Sequence, residues 1–145
     1  MKEGYVQALI CGLALCCFLA GVPLYSTDQA KDVSRNDAAN LVKKWLNNQG
    51  YRTHSPRFAF SDDPDQANFP TFYFFSANYA QDHSAPTLGH FAVNRNTADL
   101  WDVELCKKLS TSALRTAQRF LRNRIHLSER DYRKLSRLAP CSGPT

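Results

Sequence analysis

Between Pro70 and Glu104 the chain alternates aromatic and β-branched runs with turn formers in a way that leaves few folds open. Thr71-Phe-Tyr-Phe-Phe-Ser-Ala-Asn-Tyr79 is followed by a polar loop, 80–87. Leu88-Gly-His-Phe-Ala-Val-Asn94 returns, Arg95-Asn-Thr-Ala98 turns, and Asp99-Leu-Trp-Asp-Val-Glu104 leaves. Such runs, punctuated by Asn, Asp, Gly and Pro, predict consecutive antiparallel strands. The first is apolar on both sides: Phe72 and Phe74 point one way, Tyr73, Phe75, Ala77 and Tyr79 the other. The expectation is a central strand with both faces largely covered. The alternative, an exposed aromatic face, would be a binding surface.

Helical patterns flank this sheet. Ser34 and Asp37 mark an N-cap, Ala38, Leu41, Val42, Trp45 and Leu46 repeat on one face, and Gly50 is placed as a C′ residue, which predicts a helix over 35–49. A short strand, 57–61, precedes the central one and ends at Asp62-Asp-Pro-Asp65. This acidic turn lacks the Gly and the distal Glu of an EF-hand, so a solvated turn is expected rather than a metal site. After the sheet, Ala113, Leu114, Ala117, Phe120, Leu121 and Ile125 define a second helix, with cap candidates at 110–112. Ser128, with Asp131 three residues on and Leu127 and Tyr132 as a staple, starts a third, which Pro140 ends. The two form an αα-hairpin. The predicted fold is one α+β domain over 34–141, with an N-terminal helix, about four antiparallel strands and a C-terminal αα-hairpin, then a tail at 142–145.

Ahead of the domain, Tyr5 to Leu24 contains no charged residue and follows Lys2. A segment like this reads as a signal peptide, taken as 1–26, or as an uncleaved membrane anchor, with a linker over 27–33. Either reading places the domain outside the cytoplasm, in the periplasm or cell envelope. Of five cysteines, only Cys106 and Cys141 lie beyond this segment. Two cysteines in an exported domain predict one disulfide.

The net charge of +5 is unevenly divided. From His54 to Glu104 two basic residues face seven acidic ones, and from Lys107 to Arg137 ten basic residues face two acidic ones. Arg115, Arg119 and Arg122 share one side of the second helix and form a basic surface. Export argues against nucleic acid as its partner and leaves membrane phospholipid or an anionic envelope polymer, with a simply solvated face the more ordinary expectation. No nucleophile motif, zincin motif or cofactor loop is present, and no cofactor is expected. Asp82, His83 and Ser84 are neighbours on one loop, which is not how a triad is assembled. Of His54, His83, His90 and His126, His90 is the most interesting: antiparallel pairing would bring it beside Asp99 and Asp102 of the following strand, although a histidine there is more often a satisfied structural residue.

The hairpin Leu88-Gly-His-Phe-Ala-Val-Asn-Arg-Asn-Thr-Ala-Asp-Leu-Trp101, preceded by the helix Ala38 to Leu46, resembles small exported bacterial proteins of PepSY-like character. Their pattern reads Gly, any residue, aromatic, Ala-Val-Asn, basic, any residue, Thr-Gly-Asp, aliphatic, Trp. This chain has Ala98 where that pattern has Gly, which leaves the turn type open, since Gly there serves a positive φ. The resemblance implies a helix on an antiparallel sheet and inhibitory, chaperone-like or immunity roles in the envelope. Together these readings point to an exported, non-enzymatic protein that binds and restrains another protein, a secreted hydrolase or toxin. Its expected partner-binding residues are Tyr73, Phe75, Tyr79, His90, Asp99, Trp101 and Asp102. An envelope enzyme centred on His90 and a membrane-anchored structural component are the alternatives.

Overall fold

The computed structural model describes residues 32–63, 69–79 and 87–141. The expected export segment, the loop carrying Asp82, His83 and Ser84, Asp65 and the tail lie outside these residues. Helix α1 spans Arg35–Asn48. The Ser34 hydroxyl accepts from the Asp37 amide (3.2 Å), so the cap forms where the sequence places it. At the other end Gly50 takes φ 92°, the Gly50 amide donates to the Asn47 carbonyl (2.9 Å), and the Tyr51 amide donates to that of Leu46 (3.1 Å). This pair of bonds is a Schellman motif, and only a residue at ease with positive φ closes it without strain.

Five antiparallel strands follow as a meander in the order of the sequence. They are β1 Phe58–Asp63, β2 Phe72–Tyr79, β3 Thr87–Asn94, β4 Leu100–Asp102 and β5 Lys107–Lys108. The fifth strand exceeds the expected four; two lysines carry no strand signal, and only their pairing with Trp101 and Asp102 makes them one. Helices α2, Ser112–Arg124, and α3, Glu129–Leu135, complete the chain, capped by Thr111 and Ser128.

Alternation along the strands sorts the sheet into two faces. Phe75, Ala77, Phe91, Val93 and Leu100 point to α1 and α2 and form the main core with Leu41, Val42, Leu46, Leu114, Leu121 and Ile125. On the other face Phe72, Phe74 and Ala92 are buried, with Phe69, Trp101 and Val103 packed around them. Both faces of β2 are therefore largely covered, but among the described residues helices account for only one of them.

Among the described residues, three non-glycine residues hold left-handed conformations at turns: Ala98, Cys106 (φ 48°) and His126. Ala98 sits at φ 58° with its methyl fully buried in the main core. The β3–β4 turn thus keeps a positive φ where the PepSY-like pattern has Gly. Asn94 organises the turn, its side-chain oxygen accepting from the amides of Asn96 (2.9 Å) and Thr97 (3.2 Å). His126, at φ 53°, closes α2 as Gly50 closes α1, its amide donating to the Asn123 carbonyl (3.1 Å) and that of Leu127 to the Arg122 carbonyl (3.0 Å). His126 is exposed, so its side chain offsets little of the cost of the left-handed backbone. His126→Gly is expected to raise stability by about 0.5–1 kcal/mol, measured by denaturant unfolding; a loss would show that the imidazole makes a stabilising contact.

Candidate functional site

The titratable residues singled out by the sequence divide between two places. The first is the junction of the sheet with α2 and α3. Asp99 immediately precedes β4 and is 2% exposed. Its carboxylate accepts from Lys108 Nζ (2.9 Å) and from the Tyr132 hydroxyl (3.2 Å), and lies 3.7 Å from an Arg122 guanidinium nitrogen. Lys108 Nζ also donates to the Ser136 carbonyl (3.1 Å), and Arg122 to the Thr97 carbonyl (3.2 Å). The Arg122 guanidinium stacks 4.4 Å from the Tyr132 ring centroid. Burial, and next the negative charge of Asp99, push the Tyr132 phenol above its ordinary value, so it stays a neutral donor. A buried charge needs this kind of enclosure by opposite charge and donors. The contacts of Asp99, Lys108, Arg122 and Tyr132 hold α2 and α3 to the sheet.

Cys106 and Cys141 close the same junction from outside as a disulfide, with Cα atoms 5.8 Å apart. That pairing is the one the sequence predicts. Arg122 differs from expectation. It does not join Arg115 and Arg119 on the surface, because its turn of α2 faces the β3–β4 turn, where Thr97 and Asp99 draw it inward.

The second place is the helix-free face of the sheet. His90 lies on it opposite Ser76, half exposed. Its ring is 3.9 Å from Asp63 on one side and 3.9 Å from Glu104 on the other. Neither expected acid is beside it, and register is the reason. Asp99 lies past Leu100, which pairs with Val93. That is about three to four residues along β3 from His90, or roughly 10–13 Å at strand rise. Asp102 pairs with Phe91 and so projects to the opposite face, and its carboxylate instead accepts from the Leu105 amide (2.9 Å). The expected pairing of His90 with Asp99 or Asp102 is therefore not assembled; its carboxylate neighbours are Asp63 and Glu104 instead. Trp101 is on the same face as His90, half buried, with Lys108 Nζ 5.5 Å from its ring centroid and an indole N–H that meets no acceptor among the described residues.

The aromatic row on β2 is inward-facing. Phe75 is fully buried in the main core, stacked on Phe60 at 5.3 Å, and cannot touch a partner in this fold. Tyr73 is half buried beneath the guanidinium groups of Arg35 (4.7 Å) and Arg95 (5.1 Å). The Tyr79 hydroxyl accepts from the Arg52 amide, and its ring packs edge-on against Phe58. These side chains hold the sheet to its surroundings.

One ion pair that the sequence does not signal lies on the helical side. Arg124, in the last turn of α2, pairs with Asp37 in the first turn of α1, where Ser34 also donates to the carboxylate. The Arg124 hydrogen bond, opposed by desolvation and aided by Ser34, holds the Asp37 carboxyl below its ordinary value. A depressed carboxyl pKa stabilises the fold above the unfolded-state value of about 4 and ceases to do so as pH falls through the lower folded value. Asp37→Asn should therefore be less stable than the wild type at neutral pH, and the difference should shrink on acidification below about pH 4. Unfolding midpoints at pH 7 and pH 3 check it; a difference that persists unchanged in acid would sink the assignment.

Among the described residues, no group of three or more His, Cys, Asp or Glu gathers in a metal-binding arrangement, and no helix is long and apolar enough to cross a membrane. No family model and no curated protein matches this chain. Among solved structures, a chain of one described as a type VI secretion system effector-immunity complex from Pseudomonas protegens is similar to it. The TM-score is 0.61 at 25% identity, over 75% of this chain and 90% of that one.

Proposed function

We propose that this chain is an immunity-type protein that binds an effector toxin of a secretion system and holds it inactive. The observation carrying the proposal is the likeness to a chain of an effector-immunity complex, which spans nearly all of that chain. Of the two roles in such a complex, the immunity role suits the side chains here. Asp99 is enclosed by two cations and a phenol, Asp102 caps a turn, and His90 is separated from both. The charge-free stretch from Tyr5 to Leu24 and the disulfide support action outside the cytoplasm, in the periplasm or envelope.

The test is co-production with each secreted effector of the organism that encodes the chain, with growth as the readout. Relief of one effector's toxicity, with recovery of a complex of the two chains, is the expected result. Toxicity of this chain produced alone would assign it the effector role instead. Fractionation should place the mature domain outside the cytoplasm, and the mass of the product decides between a cleaved signal and a retained anchor.

A further inference from the structure

The helical side of the molecule carries a groove that borders the main core at Leu41 and Leu121 and that the Asp99 junction does not use. An open groove of about 350 Å³ runs between α1 and α2. Asn40, Leu41 and Lys44 line one wall, and Ala117, Phe120 and Leu121 the other. Asp37 at its end is already neutralised by Arg124. Phe120 stands at the rim 66% exposed, although α2 offers a core in which Leu114 and Leu121 are buried. Arg115 and Arg119 are exposed one turn apart on the ridge beside it, and Lys44 is exposed across the groove. Arg115 donates to the Ser110 hydroxyl (3.0 Å), and among the described residues no carboxylate pairs with Arg115, Arg119 or Lys44. Cations without counter-charges around an exposed aromatic and an apolar recess are the composition of an interface centre.

We propose that this groove, with Phe120 at its rim and Lys44, Arg115 and Arg119 around it, docks an acidic segment of a partner protein that inserts an apolar side chain. The inference rests on the protein-binding reading above and supplies its chemistry. The cations call for carboxylates and speed encounter with an acidic surface. The recess holds a side chain or two, whereas a bilayer surface would call for a continuous apolar ridge, which the alternation of Arg115, Thr116, Arg119 and Phe120 does not provide.

The probe is a short labelled peptide of alternating Glu and Leu, followed by fluorescence anisotropy against the folded domain. Binding should weaken about tenfold or more in Phe120→Ala and again in Arg119→Glu, with thermal midpoints unchanged because both side chains are exposed. Arg130→Glu, on α3, should leave binding as it is. A Lys–Leu peptide binding as tightly, absence of Glu–Leu binding, or preference for phosphatidylglycerol vesicles would each overturn the proposal, the last in favour of a membrane surface. The two readings fail separately. If no effector is neutralised while the peptide still needs Phe120 and Arg119, the immunity reading falls and the surface stands. If Phe120→Ala and Arg119→Glu protect against an effector as well as the wild type, the surface falls and the immunity reading stands.

Discussion

Replacing Asp99 with Ala should cost about 3–5 kcal/mol, the range for breaking a buried ion pair from one side. Asp99 is 2% exposed, and its carboxylate satisfies Lys108, Arg122 and Tyr132 together. Its removal leaves two cations facing each other with no anion between them. Arg122, with a side chain only 18% exposed, has little water to turn to. Lys108, at 32%, can partly re-solvate, which places the expected loss toward the lower end of the range. Asp99→Asn keeps the shape and an acceptor for Tyr132 but still removes the charge, so it should recover only part of the loss. Tyr132→Phe removes one hydrogen bond and should cost about 1 kcal/mol. A double-mutant cycle between Asp99→Ala and Arg122→Met isolates the pair, and additive single losses would show that the two do not interact. Asp99→Ala within about 0.5 kcal/mol of the wild type would contradict the network as drawn, because that is the range for unremarkable surface positions.

The contrast between Asp99 and His90 shows what the sequence discloses and what it withholds. Local signals carry through. Ser34 and Gly50 bound α1, and Ser128 caps α3, because capping depends on residues a few positions apart. The disulfide was legible because only two cysteines lie beyond the apolar N-terminal segment. Long-range placement is another matter. His90 appears close to Asp99 and Asp102 in the order of the chain, but the pairing Val93 with Leu100 carries Asp99 far along the sheet, and the pleat puts Asp102 on the other face. A slip of one residue would have reversed the faces, and nothing local announces which register is taken. The β2 aromatics show the same limit: alternation separates Tyr73, Phe75 and Tyr79 from Phe72 and Phe74, but which set meets the helices depends on contacts with α1. Asp37 and Arg124 are 87 residues apart in sequence and meet only because α1 and α2 lie side by side. The groove is invisible for the same reason, since its two walls come from different helices.

Cys141→Ser should remove about 3.5–4 kcal/mol, and the loss should be felt first in α3. The bond joins residues 35 apart in sequence, and chain-entropy arithmetic for a loop of that size gives this magnitude. It is a large share of the roughly 5–15 kcal/mol that holds a small domain together. The location of the effect follows from how little else retains α3. The helix is seven residues long and buries none of them. Helices this short are not stable alone in water. Its ties to the sheet are the Tyr132 hydroxyl on Asp99, the Lys108 ammonium on the Ser136 carbonyl, and the Cys106–Cys141 bond just past its end. The first two are hydrogen bonds that open and close with local motion, whereas the third limits how far the helix can travel when they open. Without it, amides of 129–135 should exchange faster than those of β2 and β3, which lie inside the sheet and the main core. The Asp99 junction should loosen with α3, so Cys141→Ser combined with Tyr132→Phe should cost less than the sum of the two alone. The groove between α1 and α2 does not involve α3, so peptide binding there should survive in Cys141→Ser at temperatures where the sheet remains folded. Amide exchange that quickens uniformly across the chain would show instead that the bond stabilises the domain as a whole, and two free thiols in the unfolded, unreduced protein would remove the premise.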